Sequence, residues 1–189
     1  MIAEQDRSGW FGASDTAIIM GSWQTRSFES WWRIKPGLET KHLHSDAIQA
    51  GTCYEHAILD AIGAAERDRQ IIIPELRLRV NLDGNTGGRI HEVKTHKRAM
   101  RRPPKGYVQQ VQAQMFAAKY DGWQNVSGEI VAYRMTEEEY RNFFLPIDPG
   151  RLSRFGIPYD IGFVAQWLHR LMYLAKCLEE REWPYEIAA

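Results

Sequence analysis

Cysteine is scarce in this chain: only Cys53 and Cys177 occur among 189 residues, far apart and without a CxxC pair. That excludes a disulfide framework and a thiolate zinc site, and it fits a reducing compartment. No apolar run approaches the ~18 residues that a membrane span needs. The first eight residues are polar and charged, unlike a secretory leader. Neither sign of charge is in excess, with 24 Lys plus Arg against 24 Asp plus Glu, so no global field attracts a polyanion and any such surface must be local. Internal repeats and low-complexity linkers are also missing. What is present is a packable composition, 44% hydrophobic and 12% aromatic, in a length that buries roughly 70% of its extended surface. The reading is a single soluble domain over residues 1–189, cytoplasmic and without membrane contact.

Punctuation by Gly, Pro and capping residues divides the chain. Ser14 reads as the N-cap of a short helix closed by Gly21, and Ser27 opens a Trp-rich helix ended by Pro36. From Ser45 to about Ala65, apolar residues recur at helical spacing. Leu76, Leu78, Val80 and Leu82 alternate with polar neighbours, predicting a strand over 75–82. Asp83-Gly84 and Gly87-Gly88 bracket a turn, and Arg89 to Thr95 returns as a strand with Ile90, Glu92 and Lys94 on one face. A helix from about Tyr107 to Lys119, a strand around Glu129 to Tyr133 and a helix from Ile161 to Glu180 follow. This order predicts an α/β or α+β fold with a small mixed sheet.

Glu55 falls on the apolar stripe of its helix with Gly51, Ile58 and Ile62, where a carboxylate needs a cation, a hydrogen-bond network or a metal. Asp83 ends one strand, and nine residues later Glu92 and Lys94 share a face of the next. Two such carboxylates suit a hard divalent cation such as Mg²⁺. A metal there withdraws charge from a scissile phosphate and acidifies water, while a lysine alongside orients that water and offsets developing charge.

Leu82-Asp83-Gly84, Glu92-Val93-Lys94-Thr95, the glutamine-rich Gln110-Val111-Gln112-Ala113-Gln114-Met115, Gly51-Thr-Cys-Tyr-Glu55 and Gly12-Ala13-Ser14-Asp15 occur in order between about Arg7 and Ala118. Together they resemble the phage lambda exonuclease and YqaJ-like viral recombinase nucleases of the PD-(D/E)XK superfamily. The resemblance implies a restriction-endonuclease-like core, its mixed sheet flanked by helices. It implies that Asp83, Glu92, the carbonyl of Val93 and Glu55 hold the metal, as Mg²⁺ or Mn²⁺ and as two ions. Lys94 would be the catalytic lysine, and Gln110 would border the site. Gln114, on the same helix edge as Gln110, joins the DNA-contacting set, and Gln112 lies on the other edge. Arg7 and Ser14 match an arginine and a serine that hold the 5′-phosphate of a DNA end, a role compatible with Ser14 as a cap. The sequence departs from the pattern at Leu82, where the superfamily name has proline, and at His91, which by alternation faces away from the metal.

Six of the twelve residues from Lys94 to Lys105 are basic and none is acidic. The run leaves the catalytic strand directly and so places Lys97, Arg98, Arg101 and Arg102 beside the cut, as phosphate contacts without sequence preference. Trp23, Trp31 and Trp32 read as core rather than as a base-stacking wedge, and His42, His44, His56, His96 and His169 show no metal-ligand spacing. The C-terminal helix is apolar over a wide arc, part of which can face another subunit.

The residues thus predict a Mg²⁺-dependent nuclease, and the resemblance implies an exonuclease that digests linear double-stranded DNA from its 5′ ends to expose a 3′ strand for recombination. The resemblance implies a homo-oligomer, a trimer in lambda exonuclease, a phage single-strand annealing protein as partner, and a bacterial host cytoplasm. The rivals are an endonuclease or single-strand nuclease on the same core, and a DNA-end-binding module without turnover.

Overall fold

The computed structural model describes residues 8–39 and 46–187, and the side chains of 46–48 and 50 are outside that description. Short N-terminal turns, Ala13–Asp15 and α1 (Thr16–Ile19), lead to α2 (Arg26–Ile34) and α3 (Asp46–Ala61). Then come β1 (Glu66–Ile73), β2 (Leu78–Thr86), β3 (Arg89–His96), α4 (Lys105–Tyr120), β4 (Ser127–Arg134), β5 (Leu152–Ile157) and α5 (Ile161–Glu180). The five strands form one mixed sheet in sequence order. β3 and β4 are parallel, as the helical crossover α4 between them requires, and the other pairs are antiparallel. The predicted α/β class with a small mixed sheet between helices is the observed one.

Alternation along β3 divides the core. Ile90 faces a cluster with Val80, Leu82, Ile130, Val111 and Met115, joined by Trp167 and Leu171 of α5. Val93 faces Tyr54, Ile58 and Leu59 of α3, with Val131 and Tyr133. So α4 and α5 cover one face of the sheet and α3 the other. Two glycines allow close approach: a Cβ at Gly128 would stand 2.3 Å from Val111 of α4, and one at Gly84 would stand 2.6 Å from Leu59 of α3. Among the described residues no helix is long and apolar enough to cross a membrane.

Several expected boundaries are different. α3 closes at Ala61 rather than near Ala65, and the arginine-rich Glu66–Ile73, to which the sequence assigned no element, is a strand. Pro74–Leu76 is a 3-10 turn closed by Arg77 in the left-handed conformation (φ 45°), so β2 starts at Leu78. Asp83-Gly84 lies inside β2, and the turn is made by Gly87 and Gly88 alone, both at positive φ. Ser14 is an exposed residue within the first turn, not its cap: Gly12 N–H donates to Asp15 Oδ2 at 2.8 Å. Thr25, not Ser27, caps α2 by accepting from Phe28 N. Ser45 lies outside the described residues.

Candidate active site

The β2–β3 hairpin is a ladder of only three residue pairs, Thr86↔Arg89, Asn85↔Ile90 and Gly84↔His91. Beyond them the strands splay. Asp83 occupies the crotch of this fork, where its Oδ2 accepts from Val93 N at 2.8 Å and replaces the missing backbone pairing. Further down, the open edge of β2 is taken by the N-terminal segment. Phe11 N donates to Arg77 O at 2.7 Å and Arg79 N to Phe11 O at 2.8 Å. The fork therefore ends on the Gly12-Ala13-Ser14-Asp15 turn.

Glu92 is the next residue of β3 into the fork and is 2% exposed. Its Oε1 accepts from Lys94 Nζ at 2.5 Å and from Gln110 Nε2 at 2.7 Å, and its Oε2 accepts from Gln114 Nε2 at 2.5 Å. Period two aligns Glu92 with Lys94, and one turn of α4 aligns Gln110 with Gln114. Lys94 Nζ also lies 5.0 Å from the centre of the Tyr107 ring. Burial pushes the Lys94 amine down, but the Glu92 carboxylate outweighs it and holds the group above the usual lysine range. Gln114 is fully buried, which removes it from the DNA-contacting set: it is part of the floor beneath Glu92. Gln112 is structural, donating to Pro158 O at 2.8 Å and accepting from Asp160 N at 2.9 Å.

From the opposite face α3 delivers Glu55. Burial raises its pKa, and Glu92 and Asp68 add to the effect. Asp83 is pushed well above the usual carboxylate range by burial, then by Glu92 and Glu55. Carboxylates thus crowd one fork with Lys94 against them, a donor set that fits a hard divalent cation. Glu55 also belongs to a group with His56 and Asp68 whose ligand atoms lie within 4.8 Å of one another, a candidate metal-binding cluster. His56 Nε2 and Asp68 Oδ2 are 3.0 Å apart. Neither His56 nor Asp68 stands out as a ligand in the sequence. Asp68 lies on the unforeseen β1 in a left-handed conformation (φ 54°), between pairs that put it opposite Asp83.

Lys97, Arg98, Arg101 and Arg102 are all exposed, and a depression of about 320 Å³ beside them is lined by His96, Met100 and the three arginines. Lys97 is within 3.6 Å of Glu137. Arg7, His42 and His44 lie outside the described residues. Asp15, next to the exposed Ser14, is held by a buried charge pair: Lys35 Nζ reaches Asp15 Oδ2 at 2.6 Å and Trp10 O at 3.0 Å, and Trp31 Nε1 donates to Asp15 Oδ1 at 2.8 Å. Trp23 and Trp32 are buried in the core, as expected.

No family model matches the chain, and no curated protein is similar to it in sequence. Solved structures do resemble it. The alkaline exonuclease LHK-Exo of Laribacter hongkongensis superposes with a TM-score of 0.69 at 20% identity, over 93% of this chain and 90% of that one. Its complex with dAMP gives 0.68 at 19%, with the same coverage. A phage related exonuclease from Haemophilus somnus 129PT gives 0.63 at 12%, over 91% and 94%. At these identities the likeness is one of fold, and the fold, with its forked hairpin and flanking helices, is PD-(D/E)XK-like.

Proposed function

We propose that this protein is a divalent-metal-dependent deoxyribonuclease of the lambda exonuclease and YqaJ-like kind. It hydrolyses linear duplex DNA from 5′ ends and leaves a 3′ strand for a phage annealing protein. The observation that carries this reading is the convergence of Asp83, Glu92 and Lys94 on one fork, with Glu55 and Gln110 arriving from helices on opposite faces. The resemblance of the fold to two exonucleases supports it.

Asp83, Glu92, the Val93 carbonyl and Glu55 would hold Mg²⁺ or Mn²⁺, as two ions. The bound cation supplies Lewis-acid chemistry, drawing charge from the scissile phosphate and acidifying water. The chain's own groups do the rest. Gln110 and Gln114 fix the Glu92 carboxylate from below, so its free directions point into the fork. Lys94, 22% exposed at its side chain, presents ammonium protons toward solvent at the same point and can orient a water and offset charge on the phosphate. Lys97, Arg98, Arg101 and Arg102 would neutralise neighbouring phosphates, and Ser14, with Arg7, would receive the 5′-phosphate. A ring-forming homo-oligomer such as a trimer would keep the duplex engaged between cuts.

The test is digestion of linear duplex labelled at its 5′ ends, beside closed circular plasmid, with Mg²⁺ or with EDTA. Mg²⁺-dependent release of labelled mononucleotide with an intact circle is expected. A nicked circle would move the protein to the endonucleases, and intact DNA under every divalent metal would leave only end binding.

A further inference from the structure

Beyond the C-terminal end of α3, the sheet face that this helix covers turns from apolar to polar. Arg89 and His91 of β3 pair in register with Ser127 and Glu129 of β4, and Arg154 of β5 reaches back from its place opposite Val131. Arg154 Nε and Nη2 clamp the Glu129 carboxylate at 3.0 and 2.8 Å. His91 Nδ1 lies 3.0 Å from the same carboxylate, and its Nε2 lies 3.1 Å from Thr86 Oγ1. A cavity of about 340 Å³ opens over this group, lined by Thr86, Arg89, His91, Asn125, Ser127 and Arg154.

The charge in this cavity does not balance. Glu129 is buried beneath it and engaged by Arg154. Arg89 is exposed and makes no ion pair among the described residues, while Arg154 keeps Nη1 outside its bidentate contact. One guanidinium charge is therefore uncompensated, and hydroxyls from Thr86 and Ser127 and the amide of Asn125 stand around it. Planar guanidinium forks with hydroxyl donors recognise the tetrahedral oxygens of phosphate. None of these residues has a part in the proposed chemistry.

We propose that this cavity binds a phosphate group, a second phosphate subsite separate from the fork. The cavity also touches Ile62, seven residues beyond Glu55, or about 10 Å along the α3 axis. That span equals roughly three nucleotides of strand rise at ~3.4 Å each. A strand lying along α3 would place a backbone phosphate here, and a free nucleotide offers the same group. Only the source of the phosphate rests on the nuclease reading, so the test is run in EDTA, where turnover plays no part.

Inorganic phosphate is titrated into the protein while the His91 ring signals are followed by NMR. A saturable shift is expected, with affinity about tenfold weaker in Arg89→Ala. Because Arg89 is an exposed residue with no ion pair, this variant should keep the wild-type melting temperature. The sources separate on two further probes. If the phosphate is a strand phosphate, Arg89→Ala lowers the slope of log K against log salt for a single-stranded oligonucleotide by about 0.7. If it is a free nucleotide, that slope holds and dAMP affinity falls instead. Phosphate and dAMP that leave His91 unmoved, or an affinity that Arg89→Ala does not change, overturn the proposal. Failure of the nuclease reading would appear in the plasmid digestion and leave the phosphate titration intact.

Discussion

Lys94 stands where chemistry and binding can be separated. Its ammonium contacts Glu92 and the Tyr107 ring rather than the carboxylate of Asp83, so Lys94→Ala leaves the Asp83 contact to Val93 in place. Cleavage is expected to fall at least about 100-fold, with Mg²⁺-dependent DNA binding retained. Single-turnover digestion beside a binding assay checks this, and retained turnover would remove Lys94 from the mechanism. The placement of Asp83, Glu92 and Lys94 was legible because a two-residue period fixes which side chains share a face. Depth was not legible: helix geometry paired Gln110 with Gln114 but could not tell a rim residue from one with no exposed surface. Asp68 left no trace, since a left-handed residue in an arginine-rich, non-alternating stretch looks like a loop.

At the scale of elements, the long connection from β4 to β5 holds the helix that carries Glu55. Glu139, 2% exposed, accepts from Arg151 Nη1 at 2.5 Å and Nη2 at 2.8 Å, Tyr133 Oη at 2.6 Å and Thr136 N at 2.6 Å. Tyr54 of α3 then donates to Asn142 O in the same connection at 3.1 Å. Burial would raise the Glu139 pKa, but Arg151 and the other donors outweigh it and bring it down to about 2. A depressed carboxylate stabilises the fold fully above its unfolded pKa, and the contribution is lost as pH falls through about 2. Glu139→Gln is therefore expected to cost about 2 kcal/mol at pH 7 and almost nothing near pH 2. Urea unfolding of both proteins across that range tests it, and a difference independent of pH would contradict the charge argument. Period and caps revealed β3, α4, β4 and α5. They could not reveal β1 or β5, edge strands whose arginines and mixed polarity follow no alternation.

Across the whole molecule, the two ends of the described chain are tied by one buried side chain. Arg170 of α5 donates from Nη1 to Ile19 O and Gly21 O at 3.0 and 2.9 Å, and from Nη2 to Ile187 O at 3.0 Å. Its guanidinium also lies 5.1 Å from the Trp23 ring centre. Arg170→Met would leave these carbonyls without their donor, at a cost of about 2 to 4 kcal/mol. The urea midpoint should fall with it, and an unchanged midpoint would show that water replaces the guanidinium. The wide apolar arc of α5 serves this same interior: Val164, Trp167, Leu171, Leu174 and Leu178 are buried within the chain, and Ile161 and Met172 stay exposed. The sequence showed that arc but could not assign it between core and neighbour.

β1 is an outer strand of the sheet, and its register passes over Asp68. The left-handed residue that turns a carboxylate toward Glu55 also breaks the row of amides and carbonyls along the free edge. Arg67 and Arg69 flank the break, paired with Asp60 and Asp121. Such an edge is a poor template for an incoming strand. Copies of this chain should therefore not associate by extending the sheet through β1, so the residue that shapes the cluster also blunts this edge against strand addition.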